Sequence, residues 1–139
     1  MSTYSIEGSF PIRGKIRASG NKNAALPCIA AALLSDEPVV LKRIPDIEDV
    51  RVMFQILERL GAEVTKEDKN RYRVHAADIT NCQIPPDIAQ HIRASILFAG
   101  SLLARTGKVL LSPPGGDLIG RRRPDTHFLA STPLGARAE

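Results

Sequence analysis

Apolar residues along this chain fall into short blocks whose spacing changes from one stretch to the next. From Asn23 to Leu34 they are nearly continuous, which predicts a buried helix stopped by Ser35-Asp36-Glu37-Pro38. Pro27 is expected to be tolerated there because it lies close to the first turn. Val39 to Ile44 predicts a strand, after which Pro45-Asp46 introduces a helix near Asp49 to Leu60. Val50, Phe54, Leu57 and Leu60 recur in it at helical spacing, so they are expected in the core, and Gly61 follows in the C′ position. Ala62 to Thr65 and Arg71 to His75 alternate as a hairpin around Glu67-Asp68-Lys69-Asn70. After Pro85-Pro86 the pattern predicts one long helix from Asp87 to Arg105, with Ile88, Ile92, Ile96 and Leu103 as its apolar side and Arg93 off that stripe. A last helix starts around Pro124 and is expected to fray or break at Pro133.

These blocks repeat. Ala25-Leu26 through Val40-Leu41 matches Ala94-Ser95 through Val109-Leu110 at an offset of 69 residues, and Phe54 through Leu60-Gly61-Ala62 matches Phe128 through Leu134-Gly135-Ala136 at an offset of 74. The second copy has gained residues between Leu110 and Phe128, where a Pro-Pro-Gly-Gly-Asp loop sits. Functional loops inserted into a rigid repeat have this form. Ser131 departs from the pattern, since its counterpart is the apolar Leu57.

Composition narrows the class. With 43% hydrophobic and 24% charged residues, the chain can bury a core and is not of a disordered type. Nineteen Lys and Arg against 15 Asp and Glu leave a net charge of +4, which raises nucleic acid as a partner. Only 4% of residues are aromatic, none is Trp, and the basic residues cluster only at Arg121 to Arg123, so stacking platforms and a long basic stripe are missing. No nucleic-acid partner is expected. Cys28 and Cys82 have no metal-type spacing, and His75, His91 and His127 have no ligand cluster, so packing or surface roles are expected and no metal site is predicted. The start lacks a basic and then apolar leader, and the longest apolar run is too short to span a bilayer; a cytoplasmic location and no membrane partner are expected.

Two segments carry candidate chemistry. Pro113 to Asp125 places a Gly-rich loop, the carboxyl of Asp117 and the guanidiniums of Arg121, Arg122 and Arg123 just before a helix start. Glycines let backbone approach a ligand closely, arginine forks match phosphate and carboxylate oxygens, and Asp117 is the proton-transfer candidate. Read alone, the segment is equally an exposed turn with a solvated basic patch. Ser19 to Pro27 surrounds Lys22 with a Gly and two Asn at a helix start, where free N–H groups and the positive dipole end favour an anion. Read alone, Asn23 there is an N-cap.

Together, Gly20-Asn21-Lys22-Asn23-Ala24-Ala25-Leu26-Pro27, Arg93-Ala94-Ser95-Ile96 and Pro114-Gly115-Gly116-Asp117-Leu118-Ile119-Gly120 with the Arg-Pro-Asp that follows resemble the UDP-N-acetylglucosamine enolpyruvyl transferase (1-carboxyvinyltransferase) family. The likeness runs from Tyr4 to Ala138. It implies an α/β fold, the inside-out α/β barrel of the enolpyruvyl transferases built from βαβαββ repeats, here an incomplete first domain. Residues 1–19 resemble a segment belonging to a second domain. Residues 20–139 would be part of the first domain, with repeat one at about 20–84 and a truncated repeat two at about 85–139. Because family members are about three times longer, the chain is expected to be an N-terminal fragment, inactive alone, whose partner is the missing C-terminal half.

The implied reaction moves the enolpyruvyl group of phosphoenolpyruvate to the 3-hydroxyl of UDP-N-acetylglucosamine and releases phosphate, the first committed step of peptidoglycan synthesis and so of cell-wall growth and division. By resemblance Asp117 is the general acid, and Lys22, Asn23 and Arg122 hold phosphoenolpyruvate, with Arg121 and Arg123 as neighbouring candidates for the same role. Asn23, Arg93, Arg122, Arg123, Pro124, Asp125 and Thr126 correspond to contacts with UDP-N-acetylglucosamine. No cofactor is implied. Many members carry cysteine in place of Asp117, which implies fosfomycin resistance here, and Leu97 stands where an aromatic residue is common. The alternatives are a 3-phosphoshikimate 1-carboxyvinyltransferase-like enzyme and a truncated, non-catalytic nucleotide-sugar-binding remnant.

Overall fold

Val39, Leu41, Tyr72 and Val74 organise a three-stranded antiparallel sheet. In the computed structural model, which describes residues 3–9, 11–112, 115 and 125–137, β1 (Val39–Lys42) and β2 (Glu63–Asp68) both pair with the central β3 (Arg71–His75). Leu41 lies opposite Tyr72, and Val39 and Val64 flank Val74. Tyr72 and Val74 are buried while Arg71 and Arg73 are exposed, so a slip of one residue would place arginines in the core; that penalty fixes the register. β1 stops at Lys42 rather than at the expected Ile44, because Arg43 turns into the left-handed region with φ 61°.

Two helices close the inner face. α1 (Lys22–Ala31) runs into a 3-10 turn, Ala32–Leu34, and buries Ala25, Leu26, Ile29, Ala30 and Leu33. Pro27 is the sixth residue of α1, deeper than expected, and cannot donate an N–H to the Asn23 carbonyl four residues back. α2 (Glu48–Leu60) buries the expected Val50, Phe54, Leu57 and Leu60 together with Val52, Met53 and Ile56. The Phe54 ring stacks on Tyr72 with centroids 4.4 Å apart, tying α2 to the sheet. Gly61 ends the helix at φ 108°, and Glu48 and Asp49 in the first turn with Arg59 in the last complement its dipole. Asp46 does not cap α2; its carboxylate accepts a 2.8 Å hydrogen bond from Nε of Arg51.

The long helix expected from Asp87 to Arg105 is instead three pieces: α3 (Pro86–Ala89), a 3-10 turn (Arg93–Leu97) and α4 (Phe98–Thr106). Ile92 adopts an extended conformation, φ −143° and ψ 128°, and breaks the run. The buried set is therefore Ala89, Ile92, Ser95, Phe98, Ser101 and Leu102, whereas Ile88, Ile96 and Leu103 are only half-buried. Both buried serines are satisfied locally, Ser95 Oγ by the Ile92 carbonyl at 2.9 Å and Ser101 Oγ by that of Phe98 at 3.2 Å. At the other end of α4, Arg105 donates to the carbonyls of Leu33 (2.8 Å), Ala76 (2.9 Å) and Ala77 (3.1 Å), pinning α4 to the first copy of the repeat.

The strand expected about Val109-Leu110 is reduced to one parallel bridge between Gln83 and Leu110. α5 (Asp125–Ser131) gives way to a 3-10 turn, Thr132–Leu134, at Pro133, as the sequence predicts. Ser131 and Thr132 donate their hydroxyls to the carbonyls of His127 and Phe128 one turn back, at 2.8 and 2.9 Å, which gives Ser131 a local role in a helix that buries none of its residues. Tyr4, Ile6, Ile12 and Ile16 are exposed and belong to no helix or strand. No helix among the described residues is long and apolar enough to cross a membrane.

Candidate functional site

Lys22 is the first residue of α1, and Asn21, not Asn23, caps that helix: its side-chain oxygen accepts the Ala24 N–H at 3.1 Å. Asn23 is thereby released from the capping role and is exposed in the first turn. The start of α1 is held by a close approach behind it. A Cβ on Gly20 would lie 1.6 Å from the Arg43 carbonyl oxygen and 3.2 Å from Pro45 Cδ, so only glycine fits where the chain enters the helix.

The Lys22 ammonium makes an ion pair with the Asp49 carboxylate from the first turn of α2. Both side chains keep substantial solvent access, 49% for Lys22 and 34% for Asp49, so the contact is open to an incoming anion. Asp49 also lines a cleft of about 530 Å³ between α2 and α3, with Glu48, Val52, Gln55, Asp87, Ile88 and His91. Three carboxylates on its walls disfavour a second anion inside it. A second cleft of about 440 Å³ runs between α1 and β1, lined in part by Asn21, Cys28 and Arg43.

Arg93 opens the 3-10 turn just after the Ile92 break and is half-buried rather than fully exposed. It is engaged in an interaction within the structure, as is Asp125 at the start of α5. Thr126 follows Asp125 and is exposed. Asp117, Arg121, Arg122, Arg123 and Pro124 lie outside the described residues. Their loop touches the described fold at Gly115, whose N–H donates to the Ala89 carbonyl at 3.1 Å.

Among the histidines, His75 Nδ1 lies 3.8 Å from Glu63 Oε2 across the hairpin, His91 faces the acidic cleft and His127 is exposed on α5. Among the described residues no group of three or more His, Cys, Asp and Glu could hold a metal ion. The pKa shifts lie elsewhere: the hydrogen bond and charge of Arg51 hold the Asp46 carboxyl below its ordinary range, and Asp46 in turn raises Arg51. Sequence reasoning missed Asp49 as the partner of Lys22, because the 26 residues between them carry no spacing signal for a contact between the starts of two helices. The acidic pair Glu48-Asp49 at a helix start was the one available hint.

With this α/β scaffold and the exposed start of α1 in view, residues 6–139 match the family described as EPSP synthase (3-phosphoshikimate 1-carboxyvinyltransferase). The chain belongs to this family of carboxyvinyl transferases. Its similar relatives include UDP-N-acetylglucosamine 1-carboxyvinyltransferase of Treponema denticola, 63% identical over 139 residues, all of this chain and 33% of the relative. The enzyme of that name from Treponema pallidum is 57% identical over 99% of this chain and 32% of its own length. The crystal structure of the enolpyruvyl transferase NikO from Streptomyces tendae superposes with a TM-score of 0.69 at 27% identity, over 85% of this chain and 25% of that one. The chain thus spans about a third of the length of the curated relatives it matches.

Proposed function

We propose that these residues form the first-domain wall of an enzyme that transfers the enolpyruvyl group of phosphoenolpyruvate to the 3-hydroxyl of UDP-N-acetylglucosamine. The observation that carries this is Lys22 at the capped start of α1, accessible and paired with Asp49, in a chain whose relatives are named UDP-N-acetylglucosamine 1-carboxyvinyltransferase. Those relatives favour the aminosugar over shikimate 3-phosphate as acceptor. Lys22, Asn23 and Arg122 bind phosphoenolpyruvate. Arg93, Arg122, Arg123, Pro124, Asp125 and Thr126, with Asn23, bind the nucleotide sugar.

Asp117 gives its proton to the methylene carbon of phosphoenolpyruvate, making it a methyl group, and the sugar hydroxyl adds to the adjacent carbon and loses its proton to a base supplied by the rest of the enzyme; the methyl group then gives up a proton, the double bond re-forms and phosphate departs. A carboxyl near several guanidiniums is ionised at neutral pH. The negative charge of phosphoenolpyruvate and the exclusion of water on closure are what restore its proton. On this reading residues 1–19 belong to the second domain, and residues 1–139 alone do not turn over.

The test is phosphate release from phosphoenolpyruvate and UDP-N-acetylglucosamine by a polypeptide extended to the length of the relatives. Release by the extended polypeptide and silence from the 139-residue chain are expected; no release from the extended form removes the function, and turnover by the short chain removes the two-domain requirement. Asp117→Asn should lose most turnover and keep substrate binding. Asp117→Cys should retain transfer and gain time-dependent alkylation by fosfomycin, which needs a thiolate, whereas alkylation of the unmutated enzyme would remove Asp117 from the acid role.

A further inference from the structure

We infer that Asp49 is a positioning residue for the proposed transfer: its carboxylate, reaching across from the first turn of α2, fixes where the Lys22 ammonium stands at the start of α1. The inference rests on the reading of Lys22 as a phosphoenolpyruvate ligand.

The backbone on both sides of this contact is held. α1 is entered at Gly20, where a Cβ would stand 1.6 Å from the Arg43 carbonyl oxygen, and Asn21 caps the helix through the Ala24 N–H at 3.1 Å. Ala25 and Leu26 then bury its first turns. At the start of α2 the N–H groups of Val50 and Arg51 donate to the Ile47 carbonyl at 3.1 and 3.2 Å, and Val50, next to Asp49, is buried. What is left to place is the half-exposed side chain of Lys22. A lysine head is a point charge on a flexible four-carbon stem, and an unrestrained stem spreads that charge over many positions. The ion pair with Asp49 selects among them.

The three acids at this corner have different partners. Asp46 and Glu48 face Arg51, at 2.8 and 3.8 Å, whereas Asp49 faces Lys22. Adjacent residues of a helix stand about 100° apart around its axis, so Glu48 cannot take the place of Asp49. An accessible pair of this kind adds little to stability. Its effect is on direction. The carboxylate competes with an incoming anion for the same ammonium, so removing it should not weaken anion binding; it leaves the charge present but unplaced. Misplacing such a group by about 1 Å costs on the order of 100-fold in rate.

In the extended polypeptide, Asp49→Asn should lower kcat roughly 10- to 100-fold, while KM for phosphoenolpyruvate rises by no more than about twofold and Tm stays nearly unchanged. Asp49→Glu, which returns a carboxylate one methylene further out, should recover part of the loss. Glu48→Gln removes a charge at the same helix start, but one that faces Arg51, and should leave kcat unchanged. In a Lys22→Ala background Asp49→Asn should cost nothing further, because its effect passes through the ammonium. Independently of turnover, NMR relaxation at Lys22 Cε in the unmutated protein should show an ordered side chain, and Asp49→Asn should make it as mobile as the exposed Lys69. Wild-type kcat in Asp49→Asn, additive losses in the double variant, or a Lys22 side chain already as mobile as Lys69 in the unmutated protein would each overturn the inference. Should Asp49→Asn fail to fold, the relaxation measurement on the unmutated protein decides whether the ammonium is held. If the unmutated enzyme releases no phosphate, the functional reading falls and the positioning role with it, while relaxation still reports whether the pair orders Lys22.

Discussion

Helices α2 and α5 carry matching landmarks at an offset of 74 residues, Phe54 against Phe128 and Leu60-Gly61 against Leu134-Gly135. Both segments end in a left-handed glycine, φ 108° at Gly61 and 95° at Gly135. Their burial is opposite. Phe54 is 6% exposed and Leu60 fully buried, whereas Phe128 is 39% and Leu134 88% exposed. α2 packs against α1, α3 and the hairpin, whereas α5 packs mainly on the 3-10 turn that follows it. Caps and breaks are local and survive without neighbours; a hydrophobic face acquires its role only from what covers it.

The largest effect that can break the comparison is chemical, because Lys22 lies in the first copy and Asp117 in the second. Lys22→Ala in the extended polypeptide should lower kcat/KM by roughly 10²- to 10³-fold, with little rescue by Lys22→Arg; near-normal kinetics would return α1 to an ordinary helix start. Next comes packing. Leu57→Ala should cost about 3 kcal/mol or more in urea unfolding, as deletion of a fully buried leucine does. Leu134→Ala should cost less than about 0.5 kcal/mol in the 139-residue chain and about 2 kcal/mol in the extended polypeptide; equal small losses in both would mean that nothing comes to cover α5.

Arg105→Met should cost about 2 kcal/mol, since it abandons three carbonyls that join α4 to the first copy, and the loss should appear as earlier exchange in α4 than in α2. The smallest expected effect is electrostatic. Arg51 lowers the folded pKa of Asp46, so this pair's stabilisation is present above the ordinary carboxylate range and is lost as pH falls through the lowered value. Asp46→Asn should flatten the acid side of the Tm profile slightly and leave neutral pH almost unchanged, because the pair is solvent-exposed.

Much of the first copy was legible. The spacing of Val50, Phe54, Leu57 and Leu60, the stop at Gly61 and the hairpin alternation are local signals, and each element formed near its expected bounds. The second copy misled through its apolar spacing. Ile88, Ile92 and Ile96 suit one helix face, yet the 69-residue offset puts the counterpart of Lys22 at His91, and the structure breaks the helix there. An internal repeat was the better guide to a helix start than periodicity. For the proposed site, type and spacing pointed to Lys22 and Asn23. Asn21 as the true cap and Asp49 as counter-ion were not, because both depend on contacts that spacing does not encode.

The contact between Gly20 and the Arg43 carbonyl changes how the motif beginning at Gly20 should be interpreted across homologous sequences. An invariant glycine at that position would ordinarily be credited to a ligand pressing on the loop. Here the main chain of the β1–α2 corner already excludes every other residue, so the position would stay glycine even in a homologue that had lost its substrate. Retention of Gly20 is therefore a marker of descent and of the corner, and it carries no information about whether a homologue still binds a ligand at the start of α1.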